Sequence, residues 1–191
     1  KVSDEYTFLI VTGPVPTLYR DSLKVKVERR YSRAAPGGVG FAKCAGNYGG
    51  AFYPTQKARE EGFDQVLWTD AISHDYFEES GTMNLLFVID ETVITPPLGD
   101  TILDGVTRDS LLTLAKDLGY AVEERQIRVS EVLQALEEGR SVEAFGAGTA
   151  AVIAPISVMG VDDELYHLPT YSQGSVMFRL NSLDGATRTN G

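Results

Sequence analysis

Short runs of β-branched and aromatic residues, separated by glycine and proline, predict several strands along the chain. Asp90 and Glu91 stand between the fourth and fifth runs, where a two-residue turn predicts a hairpin. The runs cover residues 6–11, 23–28, 65–68, 85–89, 92–95, 121–129, 142–145 and 151–156.

Apolar residues at helical spacing are clearest after Gly105. One helix face would carry Val106, Leu111, Leu114, Ala115 and Leu118, and Gly119 would end the helix. Residues 48–61 also suit a helix despite Pro54, and Ser130 is placed to cap a short helix through residue 138. The pattern fades into a polar tail after residue 181. With no repeat or linker, it predicts one domain of the α+β (mixed α/β) class.

The composition is that of a globular domain and excludes several classes of function. Of 191 residues, 43% are hydrophobic and 23% are charged, which is a usual mix. The formal net charge of -10 argues against a nucleic-acid or anionic-membrane surface. No apolar run approaches the ~20 residues of a membrane span. Cys44 is the single cysteine and forms no internal disulfide, so we expect a cytoplasmic protein.

Glycine-rich segments could bring the backbone close to a ligand, although tight turns also need glycine. We interpret three of them as loops: residues 37–40, 46–50 and 146–148. Gly105 and Thr107 stand where the strongest helix begins, and free N–H groups at a helix start form an anion site. Alternatively, Thr107 is only the helix cap, and Asp109 favours the helix dipole.

Two segments carry side chains suited to catalysis. Lys43 has apolar neighbours on both sides, which predicts partial burial, and a lysine in an apolar site is a nucleophile for a carbonyl carbon. Glu78 and Glu79 precede a tight polar turn, where a carboxylate could face a cationic ring nitrogen. The alternatives are a surface lysine and two solvated acids.

His74 and His167 lie far apart in sequence, so we expect neither a metal site nor a catalytic triad.

Seven motifs follow one another between residues 33 and 170. They read Arg33-Ala-Ala-Pro-Gly-Gly-Val-Gly, Lys43-Cys-Ala-Gly-Asn-Tyr48, Gln65-Val-Leu-Trp68, Glu79-Ser-Gly-Thr-Met-Asn84, Thr95-Pro-Pro-Leu, Ile102-Leu-Asp-Gly-Val-Thr-Arg-Asp109 and Phe145-Gly-Ala-Gly-Thr-Ala150. Their order and spacing resemble the branched-chain amino acid aminotransferases, which are pyridoxal-phosphate enzymes of fold type IV. The resemblance departs at Asp104, where the family usually has proline.

The resemblance implies the large domain of a fold type IV enzyme, a mixed β-sheet or pseudo-barrel surrounded by helices, with pyridoxal 5′-phosphate as cofactor. Lys43 would form a Schiff base with it and then move a proton between the substrate and the cofactor. Glu79 would keep the pyridine nitrogen protonated, Tyr48 would hydrogen-bond the ring's phenolic oxygen, and Leu103 would pack against the ring.

The resemblance also implies a phosphate site and a substrate site. Backbone N–H groups at the helix start and threonine hydroxyls would bind the phosphate. The residues expected there are Gly105, Val106, Thr107 and Thr149. The Thr82 side chain would border the substrate, and the backbone of Thr149 and Ala150 would hold the substrate carboxylate. The residues expected there are Thr82, Thr149 and Ala150.

The activity implied is reversible amino transfer between L-leucine, L-isoleucine or L-valine and 2-oxoglutarate. The alternatives are a D-amino acid aminotransferase, an aminodeoxychorismate lyase, or an inactive truncated domain that only binds or assembles. Family members are homodimers or larger, and a smaller N-terminal domain precedes the region matched here. We therefore expect residues 1–191 to be the cofactor-binding large domain without that small domain. It would bind small-molecule amino and 2-oxo acids, and neither nucleic acid nor membrane.

Overall fold

One mixed β-sheet organises the chain in the computed structural model. The structure describes residues 3–14, 22–149, 152–169 and 172–189, and these contain nine strands and four helices. The strands are β1 (Leu23–Glu28), β2 (Gln65–Thr69), β3 (Phe77–Ser80), β4 (Met83–Ile89), β5 (Thr92–Thr95), β6 (Ala121–Glu124), β7 (Val142–Gly148), β8 (Val152–Val161) and β9 (Glu164–His167). The helices are α1 (Ala45–Glu60), α2 (Val106–Asp117), α3 (Val129–Glu137) and α4 (Val176–Thr189).

Six strands of this sheet close into a barrel. They follow the order β3-β2-β1-β8-β7-β4, and β4 then pairs with β3. β5 and β6 extend the sheet from β4, and β9 pairs with β8. β1 runs parallel to both β2 and β8, as β5 does to β6, whereas the other pairs are antiparallel. The α+β class and the mixed, pseudo-barrel sheet expected from the sequence are therefore confirmed.

Strand β4 lies between two hydrophobic cores, which explains its uninterrupted apolar sequence. Leu85 and Phe87 belong to the larger core, which includes residues of β1, β8 and α3. Leu86 and Val88 belong to the smaller core beneath α2 and α4. Successive side chains of a strand point to opposite faces, so a strand covered on both sides is apolar throughout.

Several predicted elements are confirmed. β1 and β2 form as expected, and Asp90 and Glu91 join β4 to β5 with φ of 48° and 66°, as a tight hairpin turn requires. The helix after Gly105 is α2, which buries Leu111 and Ala115 on the sheet. Val106, however, is 83% exposed and does not belong to the buried face of α2. Among the described helices, none is long and apolar enough to cross a membrane.

The strand expected over residues 6–11 is wrong. In residues 3–14 the backbone forms neither helix nor strand, and the side chains of this apolar stretch are exposed. Tyr6 and Val11, for example, are 82% and 88% exposed. A strand needs a neighbour to complete its hydrogen bonds, and no described strand pairs with this segment.

The single strand expected over residues 121–129 is also wrong. β6 ends at Glu124, and α3 already begins at Val129. Ile127 and Val129 are apolar because the connection buries them in the larger core, where the Ile127 carbonyl accepts a hydrogen bond from the Phe77 N–H. Arg128 is the N-cap residue of α3, without a side-chain cap, so Ser130 does not cap this helix as expected.

Two of the three segments interpreted as glycine loops lie in regular elements. Residues 46–50 belong to α1, which starts earlier than expected, and a Cβ at Gly50 would meet no atom within 4 Å. Gly146 lies in β7, where a Cβ would come within 2.7 Å of the Met83 side chain, so glycine permits close packing there. Residues 37–40 do form a loop, and Gly37 has φ of 75°.

The polar tail expected after residue 181 lies within helix α4. Glu143, buried in β7, accepts hydrogen bonds from the N–H groups of Val176 and Met177, both at 2.9 Å. These contacts satisfy free donors at the start of the helix and place a negative charge at its positive end. The hydrophobic pattern of the sequence indicates neither β3, which carries the acids Glu78 and Glu79, nor β9, most of which is exposed.

Candidate active site

A pocket of about 380 Å³ lies between the start of α1, the turn from β3 to β4 and the segment that leads into α2. We call it the Lys43 pocket. The residues that line it are Arg33, Gly40, Ala42, Lys43, Asn47, Tyr48, Ala51, Glu79, Gly81, Thr82 and Leu103.

Glu79 supplies a buried carboxylate to this pocket. It is 4% exposed on β3, and its Oε1 accepts hydrogen bonds from the Leu103 N–H at 2.9 Å and from the Asn84 amide at 3.4 Å. Its Oε2 lies 3.4 Å from Nε of Arg33. Burial raises the pKa of Glu79, while the charge of Arg33, the Leu103 N–H and the charge of Lys43 lower it. Glu79 is therefore not a solvated acid, which was the alternative left open by the sequence.

Arg33 is held beneath the pocket by main-chain acceptors. Its guanidinium donates to the carbonyl oxygens of Gly40, at 3.4 Å, and Thr101. Its Nε is buried and donates no hydrogen bond to any described residue. A buried guanidinium needs a nearby anion, and Glu79 provides one. Arg33 and Asn84 lie within the motifs quoted above, but their part in the pocket is visible only in the structure.

Lys43 ends the loop before α1, at the mouth of the pocket. Asn47 fixes this loop, because its amide donates to the carbonyl oxygens of Val39 at 2.9 Å and Ala42 at 2.8 Å. Lys43 is exposed, so the expectation of partial burial is wrong. Its apolar neighbours do not cover it, since Phe41 is itself 52% exposed. Tyr48 follows one turn into α1, is half-buried and borders the same pocket.

The start of α2 follows directly from the pocket wall. Asn84 donates to the Leu103 carbonyl at 2.8 Å, and a Cβ at Gly105 would lie 2.1 Å from its Oδ1. Gly105 is the N-cap residue, so Thr107 lies inside the first turn, where it is buried, and does not cap the helix. Asn84 also pairs with Ala147 of β7, which brings the end of β7 to the same region.

The remaining predicted residues lie around this centre. Thr149 follows β7 and is exposed. It does not line the Lys43 pocket, and neither do Gly105, Val106 and Thr107. Ala150 lies outside the described residues. The structure thus brings five predicted residues into one pocket, namely Lys43, Tyr48, Glu79, Thr82 and Leu103.

A broad groove runs from the pocket along α1. We call it the α1 groove; its volume is about 1170 Å³. Thr82 is exposed where the groove and the Lys43 pocket meet. The residues that line the groove are Tyr48, Ala51, Phe52, Thr55, Gln56, Arg59, Gln65, Trp68, Gly81 and Thr82.

The chemistry available here is an amine, a carboxylate and a phenol around one pocket, with a helix start close by. A buried carboxylate can receive a cationic group, and an exposed amine can attack a carbonyl carbon. Over the described parts of the chain, no three acidic, histidine or cysteine side chains meet as metal ligands would.

Comparison with known proteins matches these features to one family. The model of the family described as "Amino-transferase class IV" matches residues 2–159. The probable branched-chain-amino-acid aminotransferase of Staphylococcus epidermidis is 42% identical over 182 residues, which are 93% of this chain and 51% of that protein. Branched-chain-amino-acid transaminase 1 of Bacillus subtilis is 46% identical over 84% of this chain and 46% of its own length.

A solved structure agrees in fold. The T.th. branched-chain amino acid aminotransferase, in complex with N-(5′-phosphopyridoxyl)-L-glutamate, aligns with a TM-score of 0.70 and 29% identity. The alignment covers 86% of this chain and 51% of that one. The chain thus spans about half the length of the relatives it matches. The family match extends over most of the chain, including the Lys43 pocket and the start of α2, so the chain belongs to the class IV aminotransferases.

Proposed function

We propose that this chain is the cofactor-binding large domain of a branched-chain amino acid transaminase. The enzyme exchanges the amino group of L-leucine, L-isoleucine or L-valine with 2-oxoglutarate. The observation that supports this most directly is the convergence of Lys43 and the buried Glu79 on one pocket beside a helix start. The named relatives support the branched-chain substrate, and the glutamate adduct of the T.th. enzyme supports the second substrate.

The residues present fit pyridoxal 5′-phosphate. This group needs an amine for its aldehyde, an anion for its ring nitrogen and donors for its phosphate. Lys43 and Glu79 supply the first two, and the raised pKa of Glu79, caused by burial, would fall beside a cation. The start of α2 supplies N–H donors and the positive end of a helix dipole. When bound, the cofactor acts as the electron sink for breaking bonds at the substrate Cα.

Each pocket residue has a separate task in this proposal. Lys43 provides the attacking amine and then moves the proton at the substrate Cα. Glu79, kept in place by Arg33 and the Leu103 N–H, stabilises a positive charge on the ring nitrogen. Tyr48 would donate a hydrogen bond to the ring oxygen. Leu103 packs its side chain on the ring and excludes water.

Phosphate and substrate are bound at the rim of the pocket. We assign the phosphate to the turn at Gly105, Val106 and Thr107, together with Thr149. The exposure of Val106 leaves this turn open, as an anion site requires. We assign the substrate to the junction with the α1 groove, bounded by Thr82, Thr149 and Ala150. The aromatic side chains of Phe52 and Trp68 make the groove suited to an aliphatic side chain.

We further propose that the enzyme is cytoplasmic and that its pocket is completed by another domain or a second subunit. Apolar side chains exposed beside the pocket support such a contact, since Phe41 is 52% and Phe52 is 70% exposed. The relatives, about twice as long, leave room for the small domain. Light scattering of the intact protein tests the expectation of a homodimer or larger assembly.

The experiment for the cofactor site is to mix the chain with pyridoxal 5′-phosphate, reduce with borohydride and map the labelled peptide by mass. We expect the label on Lys43. Lys57, exposed near the end of α1, is the matched lysine: Lys57→Ala should keep the label and Lys43→Ala should lose it. Equal labelling of both variants, or label spread over several lysines, would contradict the proposal.

The activity is tested in the intact protein. With 2-oxoglutarate, L-leucine should yield glutamate, whereas D-alanine should not; the opposite preference would favour a D-amino acid aminotransferase. Lys43→Ala should abolish the transfer. Glu79→Gln should slow it by about 10²- to 10³-fold, because a neutral amide stabilises a ring cation less. An unchanged rate in Glu79→Gln would remove that residue from the mechanism.

A further inference from the structure

Glu78 is a buried carboxyl that the proposed function does not use. It precedes Glu79 on β3 and is 7% exposed. Consecutive strand residues face opposite ways, so Glu79 borders the Lys43 pocket and Glu78 borders a separate cleft of about 300 Å³. We call it the Glu78 cleft. The residues that line it are Asp70, Tyr76, Phe77, Glu78, Pro96, Pro97, Thr101, Ile102 and Gln126.

The two carboxyls share one guanidinium. Arg33 approaches Glu79 at 3.4 Å, and its charge also acts on Glu78. Thr101 contacts both Arg33 and Glu78. Its carbonyl accepts a hydrogen bond from Arg33, and its side chain hydrogen-bonds to Glu78. Oε2 of Glu78 is buried, and no residue that the structure describes gives it a hydrogen bond. A buried carboxylate oxygen without a donor is costly, whereas a protonated carboxyl is tolerated.

A charge count then decides the protonation of the pair. Two ionised carboxyls and one guanidinium leave a buried net charge of minus one, and one proton on the pair makes the cluster neutral. A cationic ring nitrogen beside Glu79 adds one positive charge, and neutrality then requires both carboxyls to be ionised. Resting on the proposed function, we infer that Glu78 and Glu79 hold one proton between them, mainly on Glu78, and release it when the cationic ring of the cofactor enters the pocket.

The other groups around Glu78 agree with this assignment. Burial raises its pKa to about 7, against the lowering effects of Thr101 and Arg33, and the charges of Asp70 and Glu79 raise it further. Asp70 itself stays ionised. Burial raises the pKa of its carboxyl, but hydrogen bonds from Ser73, Tyr76 and Asp75 hold that pKa well below the usual range.

The remaining neighbours do not take the proton. Tyr76 faces the same cleft, and its hydroxyl accepts a hydrogen bond from Arg128. Lys43 acts on Glu79 from the exposed mouth of its pocket. The step breaks the O–H bond of Glu78, leaves the electron pair on its oxygen and passes the proton to solvent, so no oxidant or reductant is involved. Glu78 is therefore a positioning residue that acts on the ring through Arg33 and Glu79.

The test is isothermal titration calorimetry of the chain with 4′-deoxypyridoxine 5′-phosphate, which has the ring and the phosphate but no aldehyde to react with Lys43. Repeating the titration in buffers of different ionisation enthalpy gives the number of protons released. The ligand's own ionisation is common to all variants, so the difference between wild type and Glu78→Gln isolates Glu78. Glu137→Gln, an exposed glutamate on α3, is the matched control.

We expect wild type and Glu137→Gln to release up to one proton more than Glu78→Gln at about pH 6, and the excess to vanish by about pH 8.5, where Glu78 is already ionised. Equal proton release by all three would overturn the inference and leave the proposed function intact. Failure of the wild-type protein to bind the ligand, in this chain and in the intact protein alike, would overturn both.

A second measurement does not depend on the folding of a variant. In wild-type chain labelled with ¹³C at glutamate carboxyl carbons, one buried resonance should titrate near neutral pH without ligand. After addition of 4′-deoxypyridoxine 5′-phosphate, its midpoint should fall by at least one pH unit, which is about a tenfold change in proton affinity. A midpoint that does not move would contradict the release of a proton.

Discussion

At the scale of single residues, burial sets the chemistry of Glu78 and Glu79. Most of the 27 acidic residues account for the net charge of -10 and say little about function. These two lie side by side on a four-residue strand, are 7% and 4% exposed, and share Arg33. Their chemistry follows from the low polarity around them, which favours the neutral form of a carboxyl.

The raised pKa of Glu78 predicts that stability falls as pH rises. Below about pH 4.5 the group is protonated in both states and contributes nothing. The unfolded chain ionises near 4.5, but burial holds the pKa of the folded group at about 7, so folding stability is lost across this window. Urea unfolding of the cofactor-free chain should show a loss of up to about 3 kcal/mol that Glu78→Gln lacks.

The control for this experiment is Glu137→Gln, whose glutamate is exposed on α3. It should follow the wild-type curve, because a substitution at an exposed surface position changes the free energy of unfolding little. If Glu78→Gln lost as much stability as wild type between about pH 5 and pH 8, the burial of Glu78 would not govern this pH dependence.

At the scale of elements, the start of α2 depends on a close contact between Gly105 and Asn84. A Cβ at Gly105 would lie 2.1 Å from Oδ1 of Asn84, and that amide is fixed by its bond to the Leu103 carbonyl. Gly105→Ala should therefore destabilise the chain by about 1–3 kcal/mol and weaken its binding of 4′-deoxypyridoxine 5′-phosphate. Urea unfolding and calorimetry measure the two effects.

Gly50→Ala is the comparison for Gly105→Ala. Gly50 lies in α1 with open space around its Cα, so alanine should stabilise that helix by about 1 kcal/mol. The expected effects thus have opposite sign for the same chemical change. Equal stability of the two variants would show that the contact with Asn84 relaxes without cost.

Helix α4 depends on one buried carboxylate. Glu143 accepts from the N–H groups of Val176 and Met177, and charge-assisted bonds of this kind contribute about 1.5–3 kcal/mol each. Glu143→Ala should lower the free energy of unfolding by about 3 kcal/mol and speed amide exchange at Val176 and Met177. Hydrogen exchange read by mass spectrometry checks this. Glu137→Ala should change neither quantity, and unaltered exchange in Glu143→Ala would mean that α4 docks through its apolar contacts alone.

At the scale of the whole molecule, β4 joins the two cores and contributes to the barrel. Phe87 is fully buried there and packs on Phe77 with 5.0 Å between ring centroids. Phe87→Ala should cost about 3–5 kcal/mol, a large share of the roughly 5–15 kcal/mol that stabilises a typical domain. Phe52→Ala makes the same change at a residue that is 70% exposed, and should shift stability by less than about 0.5 kcal/mol. Urea unfolding distinguishes them, and similar midpoints would contradict the central position of β4.

Local sequence determined the elements whose signals are local. The turn at Asp90 and Glu91 and the stop at Gly119 depend on residues within one or two turns of chain, and the structure has them as predicted. The motifs around Lys43 and Glu79 identified the family for the same reason, because their residue types and spacing lie in the chain itself. The roles assigned to the site residues, within the Lys43 pocket and beyond it, stay predictions.

Only the tertiary structure decided which side chains are covered, because burial depends on neighbours distant in sequence. The apolar residues 6–11 form no strand, whereas the acidic pair of β3 is buried beneath the segment that leads into α2. Lys43 is exposed despite apolar neighbours, and Arg33 gains its importance from Glu79, far along the chain. Composition and periodicity report the intrinsic preferences of residues. The pairing of β3 with β4 in the fold sets the surroundings of Glu78 and Glu79, and those surroundings determine the charge and chemistry of the two carboxyls.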